Sequence, residues 1–179
     1  FMHARAGINY GETPYFSEGW WDAVEATVSH ADETGFYAWL YDEDKWPSGS
    51  AGGRTIERDP HEFVKKGLKY NISRLTGPAT AKLDRQGALR LFAVKMNGDE
   101  SFNRETQVDL TGLTSGQWEV PAGDWSIVRF EVIRDSREAP LTHIDYLDSN
   151  AVAAFIEITN DEYHKRFGEY FGNTIPGIF

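Results

Sequence analysis

The chain has no cysteine, so disulfide bridges and thiolate metal sites are excluded, while the redox compartment stays open. It has no apolar run long enough to cross a membrane as a helix. Basic residues are in deficit: 18 Lys and Arg stand against 28 Asp and Glu, a formal net charge of -10. That balance argues against nucleic acid and against anionic membrane surfaces as partners, because both require a basic patch. It suits a neutral substrate such as a sugar. H-E-x-x-H, G-x-S-x-G, G-x-x-x-x-G-K-[ST] and histidine pairs at ligand spacing are all missing. Zinc-protease, serine-hydrolase and phosphate-loop readings are therefore left without a motif. Repeats and low-complexity stretches are also absent. No leader is visible, but the chain opens on Phe1 rather than Met and reads as a trimmed or excised piece.

What is there is apolar and aromatic. The 179 residues are 40% hydrophobic, enough for a real core, and 14% aromatic with six Trp. Tryptophan suits both cores and sugar-stacking platforms. Phe1 to Ala6 predicts a short strand. Ser17 then opens a helix with Trp20, Val24, Val28 and Ala31 on one stripe and Gly35 at its end. Phe36 to Tyr41 is nearly all apolar, the pattern of a parallel strand covered on both faces. The order implies a right-handed β-α-β unit. A long loop, 42–60, follows, with a short helix expected over 62–69.

From about residue 69 the character changes. "ALRLFAVKM", "TQVDLTGL" and "GDWSIVRFEVI" alternate apolar and polar residues between turn signals, the pattern of four to six short antiparallel strands. "WEVPAGDW" reads as a hairpin carrying Trp118 and Trp125 beside its turn. A long amphipathic helix is expected over 149–171, with Gly172 ending it, and "TIPGIF" reads as another buried strand. The resulting fold class is α/β: a partial (β/α)8 barrel with an inserted antiparallel β domain. The divisions are 1–68 for the first barrel part with its loop, 69–139 for the insertion, and 140–179 for a truncated barrel helix and strand. A complete barrel takes about 250 residues. The terminal strands of a partial one would have open apolar edges. The expectation is thus a fragment of a larger enzyme, or a chain that covers those edges by oligomerising.

Candidate site residues cluster at the C-terminal end of the second strand, where ligands bind in parallel α/β architectures. Asp42, Glu43 and Asp44 stand there, and alternation along an extended chain puts at most two on one side. They read as general acid, base, hydroxyl acceptors or ligands for a hard cation, or as a solvated acidic turn with a cap. Trp46 in Trp46-Pro47-Ser48-Gly49 reads as a platform for a pyranose, or as packing for the loop. His3 and Arg5 share one side of the first strand, and buried charges there need partners: either the same acids or a structural ion pair. Asp145 is a further candidate lining residue, whereas Asp148 and Ser149 read as helix caps. Trp118 and Trp125 offer a glycan-binding face, or cross-strand packing.

"FMHARAG", "WLYDEDKWPSGSAGG" and "IDYLDSNAVAAFIEITNDEYHKRFGEYFGNTIPGIF" resemble the N-terminal part of a bacterial glycoside hydrolase catalytic domain. The similarity is to the α-L-rhamnosidase group, glycoside hydrolase family 106, and related glycosyl hydrolases, over roughly residues 1–70 and 140–179. It implies a (β/α)8 barrel, cleavage of glycosidic bonds in polysaccharide or oligosaccharide, a secreted or periplasmic location, and often a bound calcium ion. Asp42 and Glu43 match the family string and stand as catalytic candidates. Tyr41, Trp46, His3, Arg5 and Asp145 stand as substrate-binding candidates. The resemblance further implies an acidic motif beyond the "GIF" strand, so that this segment alone is expected to be inactive. The alternative expectation is a non-catalytic carbohydrate-binding or structural fragment.

Overall fold

The computed structural model describes residues 13–42, 44, 48–135 and 143–178. The strand expected over Phe1 to Ala6 lies outside them. The chain divides into two compact units. One gathers the described residues before Lys66 and after Arg134, and the other is Lys66–Arg134.

In the first unit, helix α1 runs Glu18–Thr34. Ser17 Oγ accepts from Trp20 N–H, and Gly35 closes the helix in the left-handed region at φ 73, as the local sequence predicts. Trp20, Trp21, Val24, Val28 and Ala31 face the core. There they meet Ala38, Leu40, Tyr163, Phe167 and Ile175. Helix α2, Arg54–Arg58, is a single short turn. It lies inside the expected loop, and no helix forms over 62–69. Instead Asp59 Oδ1 accepts from the N–H groups of His61 and Glu62, a side-chain-capped turn that competes with helix. Val64 then bridges to Ile144.

The long C-terminal helix is broken in two. Helix α3 runs Ser149–Ile158 and helix α4 Asn160–Phe167. Between them Thr159, fully buried, is distorted from ideal helical geometry, at φ -105 and ψ -74. Its hydroxyl donates to the Phe155 carbonyl at 2.7 Å, a back-bond that bends helices. Ala151, Ala154, Tyr163 and Phe167 are buried, while Ile156 is exposed.

The second unit is one four-stranded antiparallel sheet. Its strands are β1 (Lys66–Lys82), β2 (Arg90–Met96), β3 (Phe102–Asp109) and β4 (Gln117–Arg134), in the order β1-β4-β2-β3. Two strands are far longer than expected. β1 pairs with β4 from Lys66↔Arg134 to Lys82↔Gln117. "WEVPAGDW" is therefore no hairpin but part of one strand. Its Pro-Ala-Gly-Asp segment is a bulge, where Gly77 pairs with Gly123 but Ala79 with Val120. The extra residue on β4 shifts the alternation by one. Trp118 and Trp125, seven positions apart, thereby come to the same face, edge to face at 5.3 Å. They are buried with Leu83, Leu91, Ala93, Leu110 and Val120. The glycan-binding role considered for this pair gives way to packing.

The expected partial (β/α)8 barrel is not formed. The described residues show no helix–strand alternation of that kind, and the antiparallel sheet dominates them. The segment 36–41 makes a single parallel bridge, Leu40 to Ile178, with Ala38 N–H donating to Thr174 and Leu40 N–H to Gly177. Only Ala38, Leu40 and Tyr41 are buried; Phe36, Tyr37 and Trp39 are exposed. An apolar run of six predicts burial on both faces, but the side a strand presents to the core depends on what packs there. Here α1 and α4 cover one side.

Candidate functional site

The polar site begins where the 36–41 segment ends. Tyr41 is buried, and its carbonyl accepts from the Tyr163 hydroxyl at 3.3 Å. The Asp42 carbonyl accepts from the Tyr15 hydroxyl at 3.1 Å. Two phenols thus pin consecutive carbonyls, one from the turn before α1 and one from α4. The Asp42 carboxylate, half-buried, accepts from Ser48 Oγ at 2.7 Å. Burial raises its pKa above the usual carboxylate value, and the Ser48 hydrogen bond opposes that rise. Burial likewise raises the Tyr163 phenol; the Trp20 contact opposes this, and the nearby Asp42 charge adds to it.

The turn that supplies Ser48 is held from the other side. The Tyr146 hydroxyl donates to the Ser48 carbonyl at 2.7 Å. Gly49 lies against Ile144 and Tyr146 at φ 123, where a Cβ would sit 2.9 Å from Ile144 Cδ1. Glycine is required here on both counts. Arg54 donates to the Tyr15 and Ala51 carbonyls, at 2.9 and 3.3 Å. Its guanidinium lies over the Tyr15 and Phe16 rings. The double bend of the 48–53 loop therefore rests on Tyr15, Ile144, Tyr146 and Arg54.

Of the sequence candidates, Tyr41 and Asp42 are placed together. Asp145 follows Ile144, which is packed against the same turn. Its Oδ1 accepts from Leu147 N–H at 3.1 Å, and its own N–H donates to the Phe63 carbonyl. Asp148 caps α3 by accepting from Asn150 N–H at 2.9 Å. His3, Arg5, Glu43 and Trp46 lie outside the described residues. Among the described residues no three His, Asp or Glu side chains gather into a set that could hold a cation.

Sequence reasoning missed Tyr15, Ser48, Tyr146, Tyr163 and Arg54. Tyr163 carried a signal, its helical spacing with Phe167, but that signal marks burial and not the direction of its hydroxyl. Ser48 was visible only as part of a Trp-Pro-Ser-Gly turn. No family model, no curated protein and no solved structure matches this chain.

Proposed function

We propose that the site around Asp42 belongs to a glycoside hydrolase, α-L-rhamnosidase-like, acting on oligosaccharide or polysaccharide. One observation supports this reading above the others. The Asp42 carboxyl is half-buried, is hydrogen-bonded by a neutral hydroxyl, and has no ion pair with any described cation. A carboxyl held that way stays protonated to higher pH than a solvated one. That is the state in which a general acid protonates a glycosidic oxygen. In this proposal Asp42 donates the proton, Ser48 orients its carboxyl, and the tyrosine-pinned carbonyls keep the segment rigid. The reaction takes a second carboxylate as base or nucleophile; Glu43, the other acid matched by the resemblance, lies outside the described residues.

The test uses the natural protein that carries these residues, assayed on an aryl α-L-rhamnoside and on a panel of other aryl glycosides. Asp42→Asn is expected to lower kcat by roughly a hundredfold or more, with KM little changed and circular dichroism unaltered. Turnover equal to wild type in Asp42→Asn overturns the assignment of Asp42. A wild-type protein that cleaves nothing on the panel overturns the hydrolase reading itself.

A further inference from the structure

The sheet unit has a second site-like feature, on the face opposite Trp118 and Trp125. In-register pairs Phe92↔Val128 and Arg90↔Phe130 bring apolar side chains of β2 and β4 to that face. Phe92 and Phe130 meet edge to face at 6.1 Å, and Tyr70 of β1 lies 6.2 Å from Phe130. A pocket of about 380 Å³ opens there, lined by Phe92, Val94, Phe102, Val128 and Phe130 with Arg104 and Gln107. That volume falls within the range of small-ligand sites.

The two polar residues reach the pocket through a local distortion. β3 pairs Asn103 with Lys95 and then Val108 with Ala93, so four residues, 104–107, oppose Val94 alone. Thr106 supports this wide bulge: its Oγ accepts from Lys95 N–H at 2.9 Å and donates to the Asn103 carbonyl at 2.7 Å. Bulges re-aim side chains at sheet edges, and this one contributes both Arg104 and Gln107 to the pocket lining. Arg104 is exposed and forms no ion pair with any described residue.

We propose that this pocket binds a small ligand with an apolar ring and one carboxylate, the phenylalanines holding the ring and Arg104 the carboxylate. An unpaired guanidinium beside apolar walls matches such a ligand by both charge and shape. A sugar is a poorer match. Its hydroxyls would find only Arg104 and Gln107 as polar side chains in the lining, and no carboxylate acceptor. The chain's net charge of -10 repels anions overall, so anion binding here would report a local contact.

The experiment follows amide shifts of the 179-residue chain by two-dimensional NMR during titration with three probes. Cinnamate carries ring and charge, cinnamamide the ring without charge, and glucuronate the charge without an apolar ring. Cinnamate is expected to shift Val94, Arg104 and Val128 with millimolar or tighter affinity. Cinnamamide should bind about tenfold more weakly, the loss of one charge-assisted pair, and glucuronate should leave these amides unmoved. Arg104→Gln should reduce cinnamate to the level of its amide, with the Trp118–Trp125 circular dichroism unchanged. Absence of cinnamate shifts at these residues overturns the proposal, as does equal affinity for cinnamate and cinnamamide. So does an unaffected Arg104→Gln variant. Glucuronate binding as well as cinnamate overturns it in favour of a glycan-binding face.

Discussion

Asp42 shows how one carboxyl takes its character from its surroundings. Its pKa is raised in the folded chain, chiefly by burial. The folded state therefore disfavours the ionised form, and the group weakens stability once pH rises past its ordinary value of 3.8 and through the raised one. Asp42→Asn removes that cost while keeping an acceptor for Ser48. The variant should melt higher than wild type at pH 7, with the gap closing as pH falls below the ordinary carboxylate value; thermal melts across pH read this directly. Ser48→Ala removes the hydrogen bond that lowers the Asp42 pKa. An NMR titration of the carboxyl should accordingly find it moved further up. Gly49 is a second case. Its φ of 123 and its contact with Ile144 exclude a side chain, so Gly49→Ala should cost on the order of 1–3 kcal/mol, read as a lower urea midpoint. The glycines of this loop were evident in the sequence. Which neighbour each one made room for was not, because Ile144 and Tyr146 lie far along the chain.

The elements differ in how locally they are specified. Helix α1 carries its own start, stripe and stop, so Ser17, Val24, Val28 and Gly35 marked it without reference to the rest of the molecule. Ser17→Ala should cost about 1 kcal/mol through the lost cap, measured by denaturant unfolding. The C-terminal helix shows the opposite. Its apolar periodicity is continuous, and the break at Thr159 arises from a hydroxyl back-bond and from burial against the first unit's core. The β1–β4 pair depends on a crossing of backbones. A Cβ on Gly77 would lie 2.7 Å from the Val120 carbonyl oxygen and still closer to that of Pro121. Gly77→Ala should thus disrupt the pair severely, with loss of the Trp118–Trp125 signal in near-ultraviolet circular dichroism. The turn-like Pro-Ala-Gly-Asp sequence suits a hairpin and a bulge equally; only the partner strand, with its Gly77-Pro78, selects the bulge.

Across the whole chain, the antiparallel sheet of 66–134 and the helical unit around α1 and α4 have separate cores. The change from helical to alternating periodicity near residue 69 was legible because period two and period 3.6 are local properties of the chain. So were the acidic balance, the lack of thiols, the N-cap of α1 and its buried stripe. The parallel-barrel reading extended a local pattern, apolar strands separated by helices, to pairings that no local pattern contains. The run Phe36–Tyr41 meets Ile178 at one bridge, and its aromatic side is exposed. Sequence by itself determined where the chain alternates and where α1 begins and ends. Tertiary structure alone decided that β4 runs unbroken, that Trp118 and Trp125 share a face, and that phenols from Tyr15 and Tyr163 pin the carbonyls beside the Asp42 carboxyl. The reason is physical: caps and periodicity act between near neighbours, whereas register, burial side and hydroxyl partners are set by residues distant in sequence, whose energies count only once the chain has closed on itself.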